Sequence, residues 1–376
     1  MTPGHGSETS PGPRSIAFLY APDDRVANGG TDIRVRRLSY ALASRWPATL
    51  ITIGPGQALP SGTSTRARLG AMLRGVPPRL SQRWDGSLRS RLVDATRDAD
   101  VIVLGTTFCA PLVPPSLLSR CILDAHNLEW RVVSQLAGRS PRPRRWAYRA
   151  TEGWTRAYER RLARRVRGVW AVSQEEAEWF EAAGACRVWV IPNGVDLPSR
   201  PPPQPAEPAL IFVGSLQGMF NRDGVAWFLE TCWPAVRRAV PDVTLILAGR
   251  GGDDLRAEGV EALGFVDDLS VLYARSSVAI VPLRLGAGTR LKVPEAMAYG
   301  RPVVSTPVGA EGHRLAAEHG VLIAASSEDF AGACIDLLRD GDRAARIGAA
   351  GRLTAESRFE WSAIGAAAAA TLAEPS

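Results

Sequence analysis

The sequence predicts an α/β fold of two domains, each built around a parallel sheet. Short apolar runs alternate with helical stretches along most of the 376 residues, and this alternation is typical of parallel strands covered by helices on both faces. The rhythm stops once, at PSRPPPQPAEP (198–208), where six prolines in eleven residues predict a linker. A chain of this length is also long for one core and comfortable for two.

The first domain is expected to span 15–197. Before it, residues 1–14 are rich in Gly, Pro and Ser and lack the apolar segment of a signal peptide, so they are predicted to be a disordered tail. After the first strand, TDIRVRRLSYALASR has helical spacing at Ile33, Leu38, Ala41 and Leu42. Ser173 and Glu176 predict a capping box at a later helix. The strands are predicted at 16–22, 48–54, 101–107, 121–126, 168–173 and 187–192.

The second domain, 209–355, repeats the pattern after the linker. Its helices include DGVAWFLETCWPAVRRA and VPEAMAYG, and the alanine-rich stretch 356–376 predicts one more helix at the end of the chain. Its strands are predicted at 210–215, 243–249, 279–283, 302–309 and 320–325.

Charge is distributed unevenly between the two halves. Residues 1–200 hold 29 arginines against 17 acidic residues, a net charge of +12, whereas residues 201–376 hold 16 basic and 21 acidic residues, a net charge of −5. A basic half attracts nucleic acid, an anionic membrane surface or a phosphorylated substrate, or is a solvated surface without a partner.

The segment 139–167 concentrates that charge, with eleven arginines against Glu152 and Glu159. Its aromatic and aliphatic residues recur every four positions and predict a helix. Two interpretations stay open: a stripe in the domain core with solvated arginines, or a face that meets a membrane or a polyanionic acceptor. The recurring residues are Trp146, Ala150, Trp154, Tyr158 and Leu162.

Cysteine usage and hydropathy indicate a cytoplasmic protein without a spanning segment. The five cysteines are odd in number and widely spaced, which fits reduced thiols, and they form no metal-binding pattern. No apolar run reaches the ~20 residues that a transmembrane helix needs.

The stretch GAGTRLKVPEAMAYG (286–300) contains the one lysine of the chain, Lys292. Gly286 and Gly288 let backbone N–H groups approach a ligand closely, and a loop that enters a helix N-terminus favours an anion such as phosphate. Arg290 and Lys292 add positive charge. Glu295 follows one turn later, where a carboxylate can accept hydrogen bonds from two ribose hydroxyls. Phosphate beside a ribose diol is what a nucleotide requires.

With these motifs the chain resembles the retaining glycosyltransferases of family 4. The resemblance covers nearly the whole chain after the tail and rests most on EAMAYGRPVVSTPVGAEG (295–312), IPNGVD (191–196), LIFVGS (210–215) and ALGFVDDLSVLYARSSVAIVPL (262–283). It implies the GT-B architecture: two Rossmann-like domains, an active site in the cleft between them, and a last helix that crosses back to the first domain.

The resemblance also assigns roles around the glycine loop. Glu295 matches the second glutamate of a motif with seven intervening residues and is expected to hold the ribose hydroxyls. The first glutamate falls at Ala287 and is absent, so the chain is most similar to a branch with a GxGTRxK loop. The arginine and lysine that many members use to clamp the diphosphate after LIFVGS are also absent. Arg290 and Lys292 are therefore expected to supply the counter-charge.

The remaining site residues follow from the same resemblance. His126, at the end of a strand, is expected near the donor sugar as the catalytic residue, Val266 where the backbone meets the base, and Arg250 beneath the base and diphosphate. The other donor-binding positions are Gly29 and Gly30 after the first strand, Gly214 and Ser215 after LIFVGS, and Gly288, Thr289 and Leu291 in the glycine loop.

The implied reaction transfers a sugar from a nucleotide-diphosphate sugar to an acceptor hydroxyl with retention, in envelope or exopolysaccharide assembly, and needs no metal or other cofactor. The acceptor is a glycan, a lipid-linked molecule or a small molecule, and the basic half allows peripheral contact with an anionic membrane. Three alternatives stay open: a nucleotide-sugar 2-epimerase, a nucleic-acid-binding module, and a non-catalytic partner. Nucleic acid is not the expected partner, because such a module leaves Glu295 and its helix without a role.

Overall fold

The computed structural model describes residues 13–20, 30–53, 65–83, 88–286 and 288–373. Its chain divides into two compact units. The first comprises Met1–Pro192 with Ser362–Ser376, and the second comprises Asn193–Trp361. The predicted tail lies almost entirely outside the described residues, as do Gly29 and Ala287.

A six-stranded parallel sheet forms the centre of the first unit, in the order β2-β1-β3-β4-β5-β6. Its strands are β1 Ile16–Tyr20, β2 Ala48–Thr52, β3 Val101–Leu104, β4 Cys121–Ala125, β5 Gly168–Ala171 and β6 Val188–Val190. Its helices are α1 Gly30–Ala43, α2 Thr65–Leu73, α3 Leu88–Ala95, α4 Glu129–Arg139, α5 Arg142–Ala163 and α6 Gln174–Ala182. All six predicted strands are present.

The inner strands of this sheet are buried on both faces, which explains their continuous apolar sequences. Every residue of β1, β3, β4 and β5 is buried, as expected where helices cover a parallel sheet on both sides. At the start of α6 the Ser173 hydroxyl accepts a hydrogen bond from the Glu176 N–H at 3.3 Å, so the N-cap half of the predicted capping box is confirmed.

Helix α1 buries a residue on its core face that its apolar spacing does not predict. Val35, Leu38 and Leu42 are buried, but Ile33 is 37% exposed. Arg34 is buried in its place and forms an ion pair with Asp124. A buried ion pair on a core face cannot be read from apolar periodicity, so the spacing predicts the helix but not the burial of Arg34.

The predicted stripe of α5 is only partly in the core. Leu162 is buried and Trp154 and Tyr158 are half-buried, but Ala150 is exposed and Trp146 is 68% exposed. Residues four apart are turned by about 40° because a helix has 3.6 residues per turn. Over sixteen residues the stripe therefore passes from the core side of the helix to its surface.

The second unit repeats the architecture with the strand order β12-β11-β10-β7-β8-β9, again all parallel. Its strands are β7 Ala209–Val213, β8 Thr244–Ala248, β9 Val260–Gly264, β10 Val278–Val281, β11 Val303–Ser305 and β12 Val321–Ile323. Its helices are α7 Met219–Thr231, α8 Trp233–Ala239, α9 Leu269–Ala274, α10 Lys292–Ala298, α11 Ser327–Arg339 and α12 Gly341–Arg358. The five predicted strands are present, and β9 is an additional edge strand.

The proline-rich segment 198–208 is held against the second unit by two arginines. The buried Arg301 donates hydrogen bonds to the carbonyl groups of Pro202 and Pro203 at 2.9 and 2.7 Å, and Arg352 donates one to that of Pro198 at 2.9 Å. The chain passes from the first unit to the second earlier, at Pro192.

A last helix, α13 Trp361–Ala373, returns the chain to the first unit from Ser362 onward. There Trp170 donates a hydrogen bond to the Thr371 hydroxyl at 2.9 Å. Gly365 allows close packing, since a Cβ added to it would lie 2.5 Å from that of Ala41. In the described part of the chain, no helix has both the length and the apolar character needed to cross a bilayer.

Candidate nucleotide-sugar site

Most of the predicted donor-binding residues gather at one edge of the second sheet. Because all six strands are parallel, the segments that follow them meet at the carboxyl edge. Gly214 and Ser215 follow β7, Arg250 follows β8, Val266 follows β9, and the glycine loop follows β10. The chain leaves β7 for β8 on one side, and β10 lies on the other. Such a switch point is where open α/β sheets bind ligands.

Lys292 begins α10 and reaches back beneath the end of β7. Its ammonium Nζ donates a hydrogen bond to Oδ1 of Asn221 at 2.7 Å and lies 4.5 Å from the centroid of the Phe212 ring. Gly214 leaves room for it, since a Cβ there would be 2.8 Å from Nζ. Desolvation, with the nearby charge of Arg290, lowers the pKa of Lys292 to about 7. An anion bound here would restore the charged form.

Glu295 lies one turn further along α10 and is held by a tyrosine. The Tyr273 hydroxyl donates a hydrogen bond to Oε1 of Glu295 at 2.9 Å. The ring of Tyr273 stacks on that of Tyr299, with centroids 4.4 Å apart and an interplanar angle of 13°. Desolvation raises the pKa of Glu295 to about 7, although Tyr273 and Lys292 favour its charged form. The site thus holds a cation and a carboxyl group that both titrate near neutral pH.

The glycine loop before α10 is fixed by polar contacts from outside it. The Thr289 hydroxyl accepts a hydrogen bond from Nδ2 of Asn193 at 2.8 Å. Nε2 of the buried His313 lies 3.1 Å from both the backbone nitrogen and the carbonyl oxygen of Arg290. Burial lowers the pKa of His313 to about 4, so its ring is neutral. The Arg290 guanidinium donates a hydrogen bond to the carbonyl of Gly288 at 2.8 Å. Leu291 is the N-cap residue of α10.

The turns after β7 and β8 approach each other through glycine. A Cβ at Gly249, which has a φ of +145°, would lie 2.1 Å from the carbonyl oxygen of Gly214. The carbonyl of Arg250 accepts hydrogen bonds from the N–H groups of Leu216 and Gln217. Only glycine allows two backbones to lie this close. The short turns keep backbone groups, not side chains, at the edge of the sheet.

The outer positions of this edge carry exposed aromatic surface. The guanidinium of Arg250 lies 4.8 Å from the centroid of the Phe265 ring, and Phe265 is 47% exposed. Val266 is half-buried and packs against the core of the unit.

His126 and Gly30 lie in the first unit, at the carboxyl edge of its own sheet. His126 follows β4, and its Nε2 is 3.2 Å from Oδ2 of Asp124. Asp124 is buried and paired with Arg34 through three contacts of 2.7–3.0 Å. Burial alone would raise the pKa of Asp124, but the charges of Arg34 and His126 hold it at about 2. Gly30 is the first residue of α1.

Sequence reasoning missed the side chains that position Lys292 and Glu295. Asn221 precedes the predicted helix DGVAWFLETCWPAVRRA, but α7 begins at Met219 and holds Asn221 in its first turn. Asn193 and Tyr273 occur in stretches that were used only as family markers. Among the described residues, no group of His, Cys, Asp or Glu side chains is arranged to hold a metal ion.

Two family models match the chain in succession. Residues 28–198 match the model described as Glycosyltransferase Family 4, and residues 207–340 match the model described as Glycosyl transferases group 1. The chain carries two glycosyltransferase domains. The second of them includes the edge of β7–β10 and the Lys292–Glu295 pair.

Solved structures of glycosyltransferases share the fold of this chain. Sucrose-phosphate synthase from Thermosynechococcus elongatus is 20% identical, with a TM-score of 0.71 over 95% of this chain and 98% of that one. WaaG, a glycosyltransferase involved in lipopolysaccharide biosynthesis, is 16% identical, with a TM-score of 0.66 over 95% and 99%. Anabaena Alr3699/HepE in complex with UDP-glucose is 18% identical, with a TM-score of 0.66 over 95% and 99%. These likenesses confirm the predicted GT-B fold.

A curated relative matches a shorter stretch. Over 116 residues the chain is 31% identical to an uncharacterized 44.6 kDa protein in the cps region of Klebsiella pneumoniae. The match covers 27% of this chain and 30% of that protein, so it spans less than a third of the relative's length.

Proposed function

We propose that the protein is a retaining glycosyltransferase that transfers a sugar from a nucleotide-diphosphate sugar to an acceptor hydroxyl. One observation carries the proposal: Lys292 and Glu295 occupy one helical turn at the switch point of the second sheet, and each is positioned by a residue distant in sequence, Asn221 and Tyr273. A desolvated cation one turn from a desolvated carboxyl group suits a ligand that offers an anion and a diol side by side.

We assign each part of the donor to residues at the carboxyl edge of the second sheet. Lys292 meets the diphosphate, and Glu295 accepts hydrogen bonds from the ribose hydroxyls. The N–H group of Ser215 and those of the glycine loop at Gly288 complete the phosphate contacts, as glycine turns do in other phosphate sites. Arg250 and Val266 border the base. Arg290 contributes positive charge next to the loop that it helps to order.

The proposed chemistry needs stabilisation of the leaving diphosphate. The bond between the anomeric carbon and the diphosphate oxygen breaks, and its electron pair stays on the diphosphate. The acceptor oxygen bonds to the anomeric carbon on the same face, and its proton passes to the departing phosphate oxygen. Lys292 and preorganised N–H groups stabilise the charge that develops there. No protein nucleophile or metal ion is required. His126, whose Nε2 lies 3.2 Å from Oδ2 of Asp124, is the proposed catalytic contact to the donor sugar.

The relatives support a proposal for the substrate class. The HepE structure contains UDP-glucose, so a UDP-sugar is the first donor to test. The relative in a cps region and WaaG with its role in lipopolysaccharide biosynthesis support a role in polysaccharide assembly, with a glycan or lipid-linked acceptor. The proposed location is cytoplasmic.

Calorimetric titration with UDP-glucose and GDP-mannose tests the donor site. We expect Lys292→Ala and Glu295→Ala each to weaken binding 10- to 100-fold, because each removes a charge-assisted contact of about 1.5–3 kcal/mol. Arg238→Ala and Glu230→Ala are matched controls, since both side chains are exposed in the same unit. Equal affinities for all variants would refute the site assignment.

Two further measurements separate the alternative functions. Incubation of the bound donor without acceptor, followed by proton NMR, would reveal an epimer if the protein is a 2-epimerase. With acceptor, the anomeric coupling constant of the product shows whether configuration is retained. Salt-sensitive binding of RNA or DNA without any nucleotide-sugar binding would favour the nucleic-acid alternative. Donor binding without transfer to any acceptor would favour a non-catalytic partner.

A further inference from the structure

One face of helix α5 is exposed along its whole length and is dominated by arginine. Seven exposed residues lie at steps of three or four, and this spacing places them on one side of a helix. They are called the arginine stripe and comprise Arg142, Trp146, Arg149, Gly153, Arg156, Arg160 and Arg164. At a rise of 1.5 Å per residue the stripe is about 33 Å long.

The acidic residues of α5 do not neutralise the stripe. Glu159 lies on the opposite side, is buried, and accepts hydrogen bonds from the N–H groups of Glu129 and Trp130 at 2.9 and 3.0 Å. Glu152 also lies off the stripe and is half-buried. In the described part of the chain, no stripe arginine forms an ion pair. The stripe is therefore a continuous positive surface on the basic half of the protein.

Exposed apolar side chains accompany this charge. Trp146 is 68% exposed, and the guanidinium of Arg149 lies 5.9 Å from the centroid of its ring. The segment that follows α2 contacts α5, because Trp154 donates a hydrogen bond to the carbonyl of Gly75 at 2.9 Å. On α2 the side chains of Leu69 and Leu73 are 54% and 89% exposed. Exposed leucine and tryptophan next to arginine are the composition of surfaces that enter the interfacial region of a bilayer.

We propose that the arginine stripe binds the surface of an anionic phospholipid bilayer, with Trp146 inserted between the headgroups. The charge complementarity is to anionic lipid headgroups, which attract each nearby basic side chain. A nucleic acid would also attract the arginines, but its phosphate backbone offers nothing to Leu69 and Leu73. The amphipathic indole, in contrast, is well suited to the boundary between headgroups and acyl chains.

Co-sedimentation of the full chain with vesicles tests this surface. We expect binding to vesicles of phosphatidylcholine with 30% phosphatidylglycerol, and none to vesicles of phosphatidylcholine alone. Each basic residue near such a surface contributes about fivefold, or about 1 kcal/mol, so Arg142→Glu/Arg149→Glu should weaken partitioning by about 25-fold or more. Trp146→Ser should weaken partitioning onto vesicles even in 0.5 M salt, where the electrostatic attraction to the headgroups is screened.

The control is Arg238→Glu/Arg346→Glu, which makes the same change in net charge with two exposed arginines of the second unit. It should bind vesicles within about twofold of the wild type. Melting temperatures of all variants confirm that they fold. The proposal is overturned if the control loses binding as strongly as the stripe variant, or if the stripe variant binds vesicles like the wild type. It is also overturned if the wild type ignores vesicles and binds double-stranded nucleic acid through the stripe.

Discussion

Binding of a nucleotide sugar is expected to move protons in opposite directions on the two sides of neutral pH. Desolvation lowers the pKa of Lys292 to about 7 and raises that of Glu295 to about 7. A bound diphosphate stabilises the ammonium and raises its pKa, whereas ribose hydroxyls that donate to the carboxylate lower the pKa of Glu295. The experiment therefore compares donor binding at pH 8 and at pH 6, one unit above and one unit below the pKa of about 7 that both groups share.

The number of protons that binding should exchange follows from these two pKa values. At pH 8 about nine-tenths of Lys292 is neutral and about one-tenth of Glu295 is protonated, so binding should take up about 0.8 proton. At pH 6 the proportions reverse, and binding should release about 0.8 proton. A nucleotide sugar contributes little of its own, because it lacks the terminal phosphate monoester that titrates near pH 6.

Titration calorimetry in buffers of different ionisation enthalpy measures these protons directly. The slope of the observed binding heat against that enthalpy gives the number exchanged at each pH. Lys292→Met should abolish the uptake at pH 8, and Glu295→Gln should abolish the release at pH 6. Binding heats that are independent of the buffer at both pH values would refute the proposed contacts. So would a Lys292→Met variant that still takes up a proton.

Three further substitutions test single contacts. Lys292→Arg keeps the charge but should lower donor affinity by at least tenfold in the same titration, because the planar guanidinium is larger than the ammonium. Tyr273→Phe removes the hydroxyl that holds Glu295 and should weaken donor binding by about tenfold, or about 1.4 kcal/mol, while the melting temperature changes little. Asp124→Asn leaves the Arg34 guanidinium buried without its carboxylate and should cost about 3 kcal/mol in a urea unfolding curve. The wild type should lose that stability as pH falls from about 4 towards 2, since the pKa of Asp124 is lowered to about 2.

The architecture was predictable because parallel sheets that are buried on both faces leave long apolar runs in the sequence. Eleven of the twelve strands were identified from such runs. The exception is β9 Val260–Gly264, none of whose residues is buried. Glu261 interrupts its sequence VEALG, so this edge strand has no continuous apolar run that would predict it.

The residues of the candidate site could be proposed from the sequence only where chemistry and backbone requirements coincide in one short stretch. Gly288, Lys292 and Glu295 stand within eight residues, and a glycine loop with charge at a helix start is visible in sequence. Asn221 and Tyr273 are distant in sequence from that stretch and of common residue types. The fold alone brings them to the carboxyl edge of the sheet.

Space and desolvation together account for a lysine at 292 in a chain whose other 44 basic residues are arginine. The ammonium fits between the Phe212 ring and the backbone of Gly214, where even a Cβ would lie 2.8 Å away. Burial lowers the pKa of the lysine to about 7, so the empty site need not hold a full charge. Arginine stays charged at any physiological pH and carries five N–H donors in a fixed plane. It would have to be desolvated as a cation in the empty site, whereas lysine can become neutral there and regain its proton when the diphosphate binds.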